Sequence, residues 1–447
     1  MVKNNKLFPS LSNKYANNRK VLVVLVAAHA SWLVAALCWQ HFFNGDSYEY
    51  IYLSENIING WYYAANPVLP IVDYGLSTRP PVYSLLIASV YLLLGKSILP
   101  LIVLQSIISI ISCHTIYCAI SKYAKSKKWT NWYLLFICTF PAQFVFSNIV
   151  EPDIVFQLFI VLYLKFLLKY FENAKWQNFL AMALWLSLAS LTKPITYPYT
   201  LLQLIFGIIL VLSKKDKKII IGAAIPLLVM VLYGTWNYSR TGLYHISSIQ
   251  SHNLLSFNAK WFLAQKHGTA YSDSVINGHI RYMAHLPDLK SKYNYAGKAA
   301  NDIIYNDFTS YLIYHLKNSV KYFFDPGKSE LDLFTGYMGY YFRPDGTNFY
   351  MEIGKHGWRG GMNYLKTYPW LPIILVVFFM NMLRFVGCLV FVLSRRRPIA
   401  LRLAFLFFIA YFALITGPVA NTRYMLPLLP LMAAMAALTF SEYTFKK

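Results

Sequence analysis

The chain has 447 residues, 57% apolar and 13% charged, against roughly 45–50% and about 25% in soluble domains. That balance excludes a disordered chain and a disulfide-stapled secreted domain, and points to a protein that crosses a membrane many times. The net charge of +23 comes from 41 basic and 18 acidic residues. The bases fall in short clusters between apolar runs, so positive-inside topology explains them without a nucleic-acid partner.

Apolar length sets the predicted spans and Lys/Arg sets their direction. Lys3, Lys6, Lys14, Arg19 and Lys20 precede the first span, 21–43, and put the N-terminal tail (1–20) in the cytoplasm. The loop 44–96 is then external; as far as residue 80 it carries Asp46, Glu49, Glu55 and Asp73 against Arg79. The stretch 81–121 reads in two ways: two short spans broken at Gly95-Lys96, or a juxtamembrane helix over 81–94 followed by one span over 97–121. The second keeps Lys122, Lys125, Lys127 and Lys128 inside and is the one adopted. Further spans are expected at 131–148, 154–171, 178–191, 196–213 and 219–238, closing a transmembrane module over 21–238. Residues 239–369 form an extracytoplasmic domain of mixed structure with 14 bases and 9 acids. Spans at 370–393, 400–416 and 425–440 complete an all-α polytopic fold of about 10 transmembrane helices. Lys446 and Lys447 end inside. The five cysteines lie in apolar runs without metal-ligand spacing and read as packing residues; His114, within a span, reads as a core histidine. Residues 1–20 are too polar for a cleaved signal, and no P-loop or GxGxxG is present.

Charged residues at a membrane edge are costly and tend to be functional. The short external loops supply Asp46, Glu49, Arg79, Glu151, Asp153, Lys193 and Arg423, and each has a plain reading beside a chemical one. In GDSYEYIYLSENIING (45–60), Asp46 and Glu49 would cap a short interfacial helix, or Asp46 is a general base at the bilayer surface. In STRPPVYSLLIASVYLLLG (77–95), Arg79 snorkels or clamps a phosphate. In NIVEPDIVF (148–156), Glu151 and Asp153 favour a helix N-terminus, or contact an acceptor hydroxyl or a metal. Two carboxylates without a nearby His would make an oxygen-rich site of the Mg²⁺, Mn²⁺ or Ca²⁺ type. In LTKPITYP (191–198), Lys193 reaches headgroups or counters a lipid phosphate. In GPVANTRYMLPLLP (417–430), Arg423-Tyr424 is an interface anchor pair or part of the same charged face.

These segments, in this order, resemble the GT-C membrane glycosyltransferases, especially the bacterial branch similar to the family 39, dolichyl-phosphate-mannose protein mannosyltransferase-like enzymes. The resemblance rests on Asp46, Gly60, RPPVYSLLIASVYLLLG, Glu151-Pro152, LTKP at 191–194, WNYSRTG at 236–242, SYLIYHLKNSVKYFF at 310–324 and RYMLPLLP, and spans roughly residues 20–440. The ordered set carries it, since no single motif is specific. It implies an enzyme that takes a sugar from a polyprenyl-phosphate donor at the outer face of a plasma membrane, with the first-loop acid, Asp46, as catalytic base. It carries the family's Glu-Pro position onto Glu151; Arg79, Lys193 and Arg423 would partner the donor phosphate, and Asp153 and Glu49 are read with Glu151 as acceptor or metal contacts. Lys193 stands where the family usually has Arg, giving a point charge in place of a fork. Direct attack on the anomeric carbon predicts inversion. The acceptor (glycan, lipid or protein) is not specified; the Tyr- and Asn-rich segments YNYAG and GYMGYYFRPDG suit its recognition. A polytopic lipid or polysaccharide transporter and a noncatalytic assembly subunit are the competing classes, and no internal repeat favours the transporter.

Overall fold

A computed structural model describes residues 16–66, 73–214, 216–336, 349–366, 368 and 370–443. Lys3, Lys6, Lys14, Lys215, Lys446, Lys447 and most of GYMGYYFRPDG lie outside the described residues, as does the side chain of Asp73. Among the described residues the secondary structure is helical throughout.

The membrane module begins with α1 (Asn18–Trp39) and the short α2 (Ser47–Ile58), which ends near Gly60 in a left-handed turn (φ 80°). Pro81 at the first position starts α3 (Pro81–Leu94), where its missing N–H costs nothing. There follow α4 (Ile98–Ser121), α5 (Lys128–Cys138), α6 (Pro141–Val145), α7 (Asp153–Asn173), α8 (Trp176–Ser190), α9 (Tyr197–Lys214) and α10 (Ile219–Thr241). Gly242 (φ 67°) closes α10 by donating its N–H to the Tyr238 carbonyl. Then come α11 (Gln250–Asn253), α12 (Lys260–His267), α13 (Thr269–Ala284), α14 (Leu289–Tyr305), α15 (Phe308–Ser319), α16 (Lys321–Phe324), α17 (Lys328–Thr335) and α18 (Phe349–Lys366). The chain ends with α19 (Leu371–Leu393), α20 (Ile399–Thr416), α21 (Thr422–Met425) and α22 (Leu429–Tyr443).

Among the described residues, eight helical segments are long and apolar enough to cross a membrane, and the protein is a multi-pass membrane protein. The expected spans at 131–148 and 178–191 are shorter pieces. Pro141 breaks the first into α5 and α6, because it removes a backbone donor and clashes with the preceding turn. The second is the 15-residue α8. Both nonetheless run between the two ends of the bundle. Lys122 pairs with Glu172 at one end of α7, and Lys193, after α8, pairs with Asp153 at the other. The helix α3 starts and finishes at the Asp153 end: the Val82 N–H meets the Leu191 carbonyl, and Lys96 pairs with Glu55 of the external loop at 3.2 Å. That is the juxtamembrane geometry read from the charges of 81–121.

Segment 425–438 is buried along its whole length. Leu426, Leu428, Leu429, Met435 and Ala433–Ala437 are all but inaccessible, and the run of small residues lets α19 approach. A Cβ on Gly387 would come within 2.6 Å of the Ala436 side chain. The mixed external domain expected from sequence is helical among its described residues. Its own small core gathers Leu255, Ala259, Ile276, Ala296 and Ala300, while Leu331 and Phe334 pack instead with Ala36 and Val145 of the membrane module.

Candidate active site

All seven charged residues singled out in the sequence converge on one network. Arg79 donates from Nη2 to Asp46 Oδ1 (2.8 Å) and from Nε to Glu49 Oε2 (2.7 Å). Arg423 donates from Nη1 to Asp46 Oδ2 (3.1 Å), from Nη2 to Glu151 Oε2 (2.6 Å) and from Nε to both oxygens of Asp153 (3.2 and 3.1 Å). Lys193 Nζ completes the chain on Asp153 Oδ1 at 2.7 Å. Five loops spread over 377 positions of sequence supply these groups.

The plain readings give way at Asp46, Arg79, Lys193 and Arg423. Asp46 makes no side-chain cap on α2; its carboxylate turns to the two arginines. Arg79 and Lys193 do not reach into headgroups, being only 12% exposed and ion-paired. Arg423 is not an interface anchor: each of its three guanidinium nitrogens is committed to a carboxylate. Asp153 does sit in the first turn of α7, where a negative charge is favoured, and pairs outward as well.

Local structure explains the placement. The two prolines after Arg79 force the extended entry to α3. Tyr62 donates its hydroxyl to the Arg79 carbonyl (2.5 Å), and Ser247 donates its own to the Thr78 carbonyl (2.6 Å). His245 bonds Ser77, and the Ser248 N–H meets the Ser77 carbonyl. Beneath the site, Gln105 takes a 2.5 Å bond from Tyr83 and donates to the Ile149 carbonyl at 2.8 Å. Gln157 exchanges bonds with Gln143 and donates to the Leu426 carbonyl at 2.6 Å, tying the Glu151 loop to the segment that carries Arg423. Asp325 accepts from the Thr422 N–H at 2.8 Å, anchoring the turn that carries Arg423.

Aromatic faces complete the walls. Arg79 lies over Tyr50 (5.1 Å to the centroid), Lys193 over Tyr424 (5.3 Å) and Phe156 (5.8 Å), and Arg423 over Phe146 (5.9 Å).

Electrostatics separates the four carboxylates. Burial works to raise the Asp46 carboxyl, but Arg423 and Arg79 outweigh it and hold it at about 2. Burial wins at Glu151, which is pushed up to about 7 despite Arg423. Glu49 is also raised, by burial ahead of the Arg79 attraction. Lys193 is lowered by burial, against the pull of Asp153. Asp46 is the most open carboxylate, 37% exposed, while the Glu151 and Asp153 side chains are inaccessible. The site therefore offers one accessible, ionised carboxylate between two guanidiniums, over a floor of buried acids. Four acids face three cations, so a protonated Glu151 leaves the set neutral.

Among the described residues no three His, Cys, Asp or Glu side chains converge to hold a metal ion. Each of the four carboxylates already carries an Arg or Lys partner. These residues do not form a Mg²⁺ or Mn²⁺ cage in this arrangement.

Sequence reasoning missed Tyr50, Tyr83, the Gln105–Gln143–Gln157 belt, His245, Asp325 and Glu330. The glutamines had a signal, being amides within apolar runs. Glu330 is buried, and burial, with Asp325 adding, pushes it up to about 7. It lies in an external segment whose pattern gave no pointer.

With this geometry in hand, comparison with known proteins extends it. Residues 78–236 match the dolichyl-phosphate-mannose-protein mannosyltransferase family. That stretch contains Arg79, Glu151, Asp153 and Lys193, so the resemblance seen in the motifs holds across the middle of the network. In structure the chain is similar to ArnT from Cupriavidus metallidurans bound to undecaprenyl phosphate, at 13% identity and a TM-score of 0.40, over 95% of this chain and 78% of that one. The apo state of the same ArnT gives 14% identity and a TM-score of 0.38, over 95% and 77%. No curated protein matches the chain.

Proposed function

We propose that the protein is an integral membrane glycosyltransferase. It moves a sugar from a polyprenyl-phosphate donor to an acceptor hydroxyl of a glycan, lipid or protein at the extracytoplasmic face of the plasma membrane. The observation that carries the reading is the convergence of Asp46, Glu49, Arg79, Glu151, Asp153, Lys193 and Arg423 at the end of the bundle away from the basic clusters. The family match over residues 78–236 supports it. By the charge rule the basic end, and with it the N-terminus, is cytoplasmic.

In this mechanism Asp46 is the general base. The acceptor oxygen bonds to the anomeric carbon as the bond from that carbon to the phosphate oxygen breaks. The acceptor proton passes to an Asp46 carboxylate oxygen, and the electron pair departs on the polyprenyl phosphate. Attack from the opposite face inverts the anomeric centre. Arg79 and Lys193 receive the leaving phosphate as fork and point donors respectively. Arg423 releases one of its bonds to join them while holding Glu151 and Asp153. Glu49 orients Arg79, and Glu151 and Asp153 border the acceptor. No metal-dependent step is needed for this sequence of bonds.

The test is sugar release by purified protein from a panel of polyprenyl-phosphate sugars, with an acceptor extract, for wild type beside Asp46→Asn. Wild-type release with a loss of about 10²–10⁴ in the variant is expected for a lost general base. Equal release in both would refute Asp46 as base, and no release from any donor would refute the transferase reading.

A further inference from the structure

At the opposite end of the bundle, α4 and α7 part to leave a cavity of about 370 Å³. Thr115 and Ala119 of α4 keep its wall low, and Lys122, Lys165, Lys169 and Glu172 line it together with His114. Facing positions three, four and seven apart put these groups on the adjoining stripes of both helices. Three ammonium groups meet one carboxylate, that of Glu172, which pairs with Lys122. The cavity thus keeps an excess of two positive charges.

The lysines differ from ordinary basic residues at a cytoplasmic helix end. Lys165 lies eight residues before the end of α7 at Asn173, about 12 Å along the axis. A charge that deep in an apolar helix is expensive unless it faces a polar cavity or a counter-ion. Lys165 and Lys169 lie over the same Phe166 ring, at 5.9 and 5.2 Å. Lys122 is only 20% exposed, and burial, with Lys169 adding repulsion, brings its ammonium down to about 8. Like charges crowded at headgroup depth are relieved by an anion seated among them.

We propose that this cavity binds a phosphate-bearing anion, and that in the membrane the occupant is the headgroup of an acidic phospholipid. The site stands apart from the transferase network and does not depend on the activity proposed for it. The headgroup phosphate accepts from Lys165 and Lys169, while the acyl chains lie along the exposed outer flank of α4, where Ile107 and Ile111 face outward.

The test uses full-length protein in neutral detergent, stripped of lipid. Binding of dioleoyl phosphatidylglycerol and dioleoyl phosphatidylcholine is read by native mass spectrometry, with inorganic phosphate as the soluble competitor. Wild type is expected to hold one phosphatidylglycerol in preference to phosphatidylcholine, and Lys165→Gln/Lys169→Gln to bind it roughly tenfold more weakly or worse. Ala119→Leu keeps every lysine and fills the notch, so it should weaken binding as well. Lys127→Gln, at the same end but away from the cavity, should leave it unchanged. If millimolar phosphate binds in a lysine-dependent way and the lipid does not, the anion site stands but the headgroup assignment falls. No lipid preference and no phosphate binding, or equal weakening by Lys127→Gln, would overturn the proposal.

Discussion

Replacing Arg423 by Gln tests the electrostatic reading of the site most directly. The guanidinium is the partner that the structure gives Glu151 Oε2, while Asp153 keeps Lys193 and Asp46 keeps Arg79. Breaking a buried ion pair from one side costs about 3–5 kcal/mol when the remaining charge must stay ionised. Glu151 has an escape, because its carboxyl already sits at about 7, above the ordinary 4.5. A raised folded-state pKa means that the bound proton stabilises the fold. That contribution is complete below about 4.5 and is lost as pH rises through about 7. Without Arg423 the pKa climbs further, so the loss continues to higher pH. Between pH 6 and 8 wild type gives up about 1 kcal/mol on this account and the variant more. The penalty of Arg423→Gln is therefore expected to be larger at pH 8 than at pH 6, by about 1 kcal/mol. Apparent melting temperatures in detergent at the two pH values, for wild type, Arg423→Gln and Arg423→Gln/Glu151→Gln, read it out. The double variant should lose the extra pH dependence. A penalty that is the same at both pH values, or one that the second substitution leaves untouched, would refute the reasoning.

Arg79→Lys retains the charge but cannot bond Asp46 and Glu49 at once as the fork does. Its kcat/KM should fall by roughly tenfold or more, short of the loss in Arg79→Gln; equal losses would show that the fork geometry is unimportant. Arg384→Ala removes two donors from the Phe136 carbonyl (3.0 and 2.7 Å) at the Pro141 break. It should lower stability by about 1–3 kcal/mol, seen in thermal unfolding, with activity per folded molecule retained. In the pH profile, the acid limb assigned to Asp46 should lie at higher pH in kcat than in kcat/KM. The free enzyme holds that carboxyl at about 2, and a bound phosphate draws Arg79 and Arg423 away. Coincident acid limbs would argue against that exchange.

The membrane fold was legible where its physics is local. Apolar length found the helices, and the excess of Lys at one end resolved the ambiguity of 81–121 in favour of the juxtamembrane α3. What it could not resolve was how Pro141 divides a span, because the run 131–148 is apolar on both sides of the break. The charged site residues were legible one by one for a similar reason, since an acid or base at a membrane edge stands out against its surroundings. Their pairing was not. Nothing in GDSYEY and NTRYML says that Asp46 and Arg423 touch across 377 positions; that follows only from packing α22 through the middle of the bundle. The supporting groups, Ser247, His245 and Asp325, lie in external segments whose composition resembles any polar loop.

The network also constrains how a phosphate could enter. Every cation in it is already matched to a carboxylate, and burial rules out leaving any of them uncompensated. An incoming phosphate must therefore trade places with a carboxylate. Asp153 and Glu151 are fixed beneath the surface and Glu49 is less open, so the carboxylate freest to give way is Asp46. Releasing Asp46 from its arginines moves its pKa up, toward the range where a base works. In the proposed mechanism, binding the donor and arming the base are then one event: an acceptor arriving without donor meets a carboxylate too weak to take its proton, which guards against wasted proton transfer.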